Sequence, residues 1–209
     1  MNRPFWLALW IIAIEAIVLL VLIPGDWTAR IIEEEGHLLE KRLGDGERQW
    51  VHDTAKHWFD TTLIANGLYD SARDHLVPTD KQRERSMGLQ DMGYDWFVWV
   101  DGRLWAVANA YYHILVRCAV LLSWLPYFLI LLIPSVFDGL TTWRIKRTNF
   151  SYVSPWIHQY STYGIVYGFL VMVTLFLAPI VLDPGIIPVS IMLACVMAGL
   201  MIGNLQKRL

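Results

Sequence analysis

The chain has 209 residues, of which 56% are apolar and 13% aromatic, and its formal net charge is −2. Its mean hydropathy is positive, and its apolar residues lie in long runs, which excludes an ordinary soluble domain and predicts an integral membrane protein. The two cysteines, Cys118 and Cys195, both lie inside apolar runs. Neither a disulfide scaffold nor a thiolate metal site is therefore expected.

The first predicted span covers residues 5–23, which are enough to cross a hydrocarbon core of about 30 Å. No small-residue cleavage site follows it, so we interpret it as an uncleaved anchor. Residues 24–104 form a large polar loop that the sequence predicts to be helical. Asp26 can cap a helix that ends at Gly44, and an apolar stripe predicts a second helix that Pro78 ends.

Three further spans are predicted at residues 105–133, 163–182 and 186–205. In the second, Pro126 marks a kink or an end of the helix. The third and fourth spans form a hairpin within residues 162–209, which also contain the C-terminal tail. The fold class is thus an all-α membrane protein with four transmembrane helices and a large extracytoplasmic helical loop.

Basic residues set the predicted orientation. The N-terminus, the loop at residues 134–161 and the tail carry six Lys and Arg against one acid, whereas residues 24–104 carry ten against sixteen Asp and Glu. Short segments rich in Lys and Arg remain inside, and a long loop can be translocated despite its basic residues. We therefore expect both termini in the cytoplasm, the long loop in the periplasm, and the protein in the bacterial inner membrane.

Glu15 and Arg117 are the charged residues deepest within the predicted spans. A lone charge near the bilayer centre costs roughly 2.5 to 3.5 kcal/mol, so each should face protein or water and seek a partner. The sequence predicts that they pair with each other. Such an intramembrane ion pair would be structural, would link subunits, or would serve a proton or ion relay.

Small residues in the last two spans favour close helix packing. They fall at four-residue steps and allow backbones to approach, either within one chain or between copies in a homo-oligomer. The residues are Gly164, Gly168, Gly199 and Gly203.

Nothing in the sequence predicts an enzyme. His52 and His57 are five positions apart and do not share a helix face, unlike the histidines of a metalloprotease motif. Phosphate loops, dinucleotide-binding loops and nucleophile elbows are not found. No catalytic residue, metal ligand or cofactor is predicted.

The segment at residues 134–161 contains a basic cluster, Arg144, Lys146 and Arg147. These charges fix the orientation and can touch anionic lipid, each contact worth about 1 kcal/mol. Mixed with aromatic residues and an acid, they also suit the docking of a partner protein, whereas three charges are too few for sequence-specific binding of nucleic acid. The residues predicted to dock a partner are Asp138, Gly139, Trp143, Arg144, Lys146, Arg147 and Phe150.

The same segment carries a family resemblance. Pro134, Asp138-Gly139, the basic cluster, the aromatic and serine residues at 150–152 and His158 follow one another in order. In this pattern and in its four spans, the chain resembles membrane proteins of integrating conjugative elements and conjugative plasmids, including the TraJ-like proteins.

The resemblance implies a non-enzymatic component of a conjugative type IV secretion system. Such a protein would recruit or stabilise the coupling protein, the ATPase that delivers DNA to the secretion channel. The alternative is a small channel or transporter subunit that uses the predicted pair of Glu15 and Arg117 in a hydrated path.

Overall fold

The computed structural model describes residues 3–21, 25–77, 94–149 and 152–205. Over these residues the chain is entirely helical and contains no strand, which confirms the predicted all-α class. A π-helical turn at Asp60–Ile64 follows the third α-helix. In chain order the α-helices are α1 Arg3–Val21, α2 Gly25–Leu43, α3 Asp45–Phe59, α4 Leu68–Leu76, α5 Tyr94–Thr148, α6 Pro155–Leu177 and α7 Ile186–Gly203.

Three of the described helices are long and apolar enough to cross a membrane. They cover Trp96–Thr148, Pro155–Leu177 and Ile186–Gly203, which confirms that this is a membrane protein. The region of the first predicted span is also helical, as the 19-residue helix α1. The total of four spans and the orientation of the termini stay predictions.

Helix α5 is the largest departure from the sequence prediction. Its 55 residues continue through Pro126 and Pro134 and include the first part of the segment predicted as an inner loop. A proline removes one backbone hydrogen bond, but packing against a neighbouring helix outweighs that loss where the neighbour lies close. The residues after Pro134 have such a neighbour in α7, so the helix ends only at Thr148.

Contacts divide the chain into two compact units. The first contains the described parts of Met1–Ala8, Leu121–Phe176 and Leu182–Leu209. In it, α5 and α7 run parallel, since Gly139 lies against Gly199 and Thr142 against Gly203. A Cβ atom at Gly139 would lie 2.7 Å from the carbonyl oxygen of Gly199. Only glycine therefore fits at this helix crossing.

The second unit contains the described parts of Leu9–Val120 together with Leu177–Val181. Helices α2 and α3 form a hairpin around Gly44, whose φ of 94° lies in the left-handed region that favours glycine. The second helix predicted for the loop is instead α3 and α4, separated by the π-helical turn and by Gly67 at φ 63°. The core of the unit includes Ile31, Leu39, Val51, Ala55, Ala106, Val116 and Ala119.

Candidate functional site

The last turns of α5 present the predicted docking surface, which is narrower than the sequence indicates. Asp138, Arg144 and Arg147 are exposed. The guanidinium carbon of Arg147 lies 5.5 Å from the centre of the Trp143 ring, within cation–π range. Phe150 lies outside the described residues. Asp138 lies nine positions before Arg147, about half a turn around the helix, so it faces the other side of α5. The two exposed arginines and the half-buried Trp143 ring form a surface that we call the inner basic surface.

Two of the residues predicted to dock a partner take part in helix packing. Gly139 is buried against α7, as described above. Lys146 Nζ donates a hydrogen bond to Asn204 Oδ1 at 2.8 Å, and the Asn204 amide donates to the Leu200 carbonyl at 2.9 Å. Asn204 is itself buried. Lys146 therefore stabilises the end of α7 and is less available to a partner than the two arginines.

The glycines predicted to pack helices differ in their surroundings. A Cβ atom at Gly164 would lie 3.3 Å from the Met197 sulfur, so α6 and α7 approach closely there. At Gly168 a Cβ atom would meet nothing within 4 Å. Of the two glycines in this motif, only Gly164 lies against another helix among the described residues.

A second site, which the sequence analysis did not identify, is a buried charge cluster in the second unit. Glu35 of α2 lies between His113 and Arg117 of α5, and all three side chains are buried, with 7%, 3% and 3% exposed. Arg117 Nη2 donates to Glu35 Oε1 at 2.6 Å and Arg117 Nε donates to Oε2 at 3.3 Å. His113 Nε2 lies 2.9 Å from the same Oε2. The carboxylate thus accepts bonds on both oxygens.

Arg117 also holds the chain that follows α6. Its guanidinium donates to the carbonyl of Ala178 at 2.9 Å and to the carbonyl of Ile180. Between them, the Pro179 carbonyl accepts a hydrogen bond from the Trp27 indole at 3.2 Å. Three consecutive carbonyls that no helix satisfies are therefore bound by side chains from α2 and α5. Within the second unit, the cluster therefore joins α2 and α5 to the segment Leu177–Val181.

Electrostatics favours the charged form of Glu35. Burial by itself raises the pKa of a carboxyl, but the hydrogen bonds and charges of His113 and Arg117 outweigh it, and the pKa of Glu35 lies below its ordinary value. Its charge is thus compensated within the cluster. No set of three or more His, Cys, Asp or Glu side chains within the described residues is placed to hold a metal ion.

The predicted pair of Glu15 and Arg117 does not form in this structure. Arg117 is paired with Glu35, and Glu15 Oε2 is buried without a hydrogen-bond partner among the described residues. The sequence prediction rests on charges inside the predicted spans, whereas the actual partner of Arg117 is Glu35, a carboxylate in the predicted loop. One signal was available, because Glu35 lies four residues from both Ile31 and Leu39 on the apolar face of α2. A charge in that position requires a buried partner.

The fold and these two sites define a class: an all-helical membrane protein with three candidate spans among its described residues, a buried charge cluster and an exposed basic helix end. Within that class, residues 28–209 match the family described as IncC plasmid conjugative DNA transfer protein DtrJ-like. The match covers most of the chain, so the protein belongs to this family, which indicates a role in conjugation. No curated protein and no solved structure matches the chain.

Proposed function

We propose that this protein is a non-enzymatic inner-membrane component of a conjugative type IV secretion system, and that it recruits or stabilises the coupling-protein ATPase. The observation that carries the proposal is membership of a conjugative DNA transfer family over residues 28–209. The resemblance to TraJ-like proteins supplies the finer role. The buried pairing of Arg117 with Glu35 removes the support for a channel that would use Glu15 and Arg117.

The proposed topology has four spans, with α1 as the first and both termini in the cytoplasm. The excess of basic residues near the C-terminal end of α5 supports it, because Lys and Arg in short segments are retained inside. Helices α2 to α4 then lie in the periplasm and the inner basic surface faces the cytoplasm. A periplasm-specific reporter should be active when fused near residue 60 and inactive near residue 148; the reverse pattern would contradict this orientation.

In this proposal the inner basic surface docks the ATPase. Arg144 and Arg147 are three positions apart, so they share one side of α5, and both are exposed. Protein interfaces are enriched in arginine and aromatic residues. Neither arginine forms an ion pair with another described residue, so both remain available to acidic groups of a partner.

The test is a pull-down of the full-length protein from membranes that contain the coupling ATPase. We expect Arg144→Ala with Arg147→Ala to weaken co-purification by at least about tenfold, which corresponds to roughly 1.4 kcal/mol. The matched control removes two exposed cations of the other unit, Arg30→Ala with Lys56→Ala, and should bind normally. Lys146 and Gly139 stay unchanged because they serve helix packing.

Two results would contradict docking at this surface. Unchanged co-purification of the arginine variant is one, and equal loss in the control variant is the other. A third result would assign the inner basic surface to lipid contact. In that case the variant Arg144→Ala with Arg147→Ala still binds the ATPase but binds anionic lipid more weakly.

A further inference from the structure

Helix α6 carries a row of aromatic side chains along one face, which we call the aromatic stripe. Its members recur at steps of four, three and four residues, so they fall on one side of the helix. All four are exposed, Trp156 at 66% and Tyr167 at 49%. Two ring contacts run along the row, with centroids 6.0 and 6.2 Å apart. The stripe consists of Trp156, Tyr160, Tyr163 and Tyr167.

The stripe points away from the rest of its unit. On the other side of α6, Ser161 and Phe176 are buried, and His158 Nδ1 lies 2.9 Å from the carbonyl oxygen of Met201 in α7. Side chains on this other side of α6 therefore contact their own chain. The aromatic stripe faces whatever lies outside that chain in the membrane.

The depth of the stripe can be measured along α6 itself. Helix α6 is one of the three candidate spans, and it ends at Leu177. A core of about 30 Å takes roughly 20 helical residues. Tyr167 lies ten residues before Leu177, about 15 Å from that end at 1.5 Å per residue. It therefore lies near the centre of the bilayer.

An aromatic belt explains only part of this row. Belt residues lie at headgroup depth, where a polar tip reaches water. Trp156 and Tyr160 are near the start of α6 and fit that role, whereas Tyr163 and Tyr167 lie one and two turns deeper. The Tyr163 hydroxyl accepts a bond from Gln159 at 3.2 Å, while the Tyr167 hydroxyl has no hydrogen-bond partner among the described residues. A polar group exposed to lipid tails at this depth is costly.

We propose that the aromatic stripe is the interface between two copies of this chain, with their α6 helices side by side and parallel. Symmetry about an axis along the membrane normal places each residue at the same depth as its own copy. A tyrosine hydroxyl both donates and accepts, so Tyr167 of one copy satisfies Tyr167 of the other. The stripe carries no charge that would repel its copy.

A partner of a different sequence would have to present a suitable polar group at this depth, whereas a second copy supplies it by symmetry. The side chains also suit self-association, because aromatic rings attract in offset and edge-on arrangements.

Disulfide trapping in native membranes tests the geometry. In the full-length chain with Cys118→Ala and Cys195→Ala, we expect Tyr163→Cys and Tyr167→Cys to give covalent dimers on oxidation. Val166→Cys and Phe169→Cys are the matched controls, because both residues are exposed at similar depth on other sides of α6. The controls should remain monomeric. Dimers that form equally at the control positions, or no dimers at all, would overturn the proposal.

Two further measurements show whether a second copy of this chain or a different protein contacts the aromatic stripe. Cross-links at Tyr163→Cys and Tyr167→Cys that trap only a different protein would overturn self-association in favour of that partner. Tyr167→Phe keeps the ring and removes the hydroxyl, and it should weaken dimerisation by about threefold, the size of a typical interhelical hydrogen bond. A dimer unaffected by Tyr167→Phe would overturn the role of the hydroxyl at the interface.

Discussion

The buried charge cluster and the inner basic surface both use arginines of α5, but in opposite surroundings. Arg117 is buried, pairs with Glu35 and binds two carbonyls, whereas Arg144 and Arg147 are exposed and form no ion pair with a described residue. A buried charge that loses its partner costs several kcal/mol, and an exposed one costs little. The difference separates a charge required by the fold from charges available to a partner.

Breaking the buried cluster should have the largest effect. Arg117→Ala leaves Glu35 buried without its main counter-charge and frees two carbonyls, so we expect a loss of about 3–5 kcal/mol in the stability of the second unit. Hydrogen exchange of the α2 amides should accelerate accordingly. Arg73→Ala breaks the exposed pair with Asp101 and serves as the control, with a loss below about 1 kcal/mol. Equal effects of the two changes would contradict the structural role of Arg117.

Acidification should weaken the same cluster to a smaller extent. Because the pKa of Glu35 is lowered in the folded protein from an ordinary value of 4.5, its charge contributes stability above that pH, and this contribution is lost as the pH falls below it. Charged hydrogen bonds of this kind are worth about 1.5–3 kcal/mol. Thermal unfolding of the second unit from pH 7 to pH 3, which extends well below the ordinary value of 4.5, measures the loss.

Substitution at Glu35 identifies the group responsible for that pH dependence. Glu35→Gln should flatten the stability profile below pH 5, because the amide does not titrate. Glu34→Gln changes an exposed neighbour on the same helix and should leave the profile unchanged. A profile that Glu35→Gln does not alter would assign the acid sensitivity to another carboxyl.

The inner basic surface should show the smallest effect on stability. Arg147→Ala removes one exposed cation–π contact with Trp143, worth about 0.5–1 kcal/mol. Thermal unfolding in detergent should therefore change little. A destabilisation as large as that of Arg117→Ala would mean that this surface, too, belongs to the fold.

The candidate sites were only partly predictable. The basic cluster was visible because its members are adjacent in sequence, but the sequence did not separate Arg144 and Arg147 from Lys146, whose bond goes to Asn204. Nor did it separate Gly139, which lies against Gly199, from residues free to meet a partner. Which side of a helix faces a neighbour depends on the packing of helices far apart in the chain.

By itself the sequence determined the membrane class, the all-helical fold and the break at Gly44, because apolar runs, helical periodicity and turn residues act over short distances. Only the tertiary structure decided the continuity of α5 through Pro134 and the partner of Arg117, 82 positions away in Glu35. Local patterns show that a buried charge needs a counter-charge. The choice among distant carboxylates is made when helices pack and one of them comes within hydrogen-bond distance.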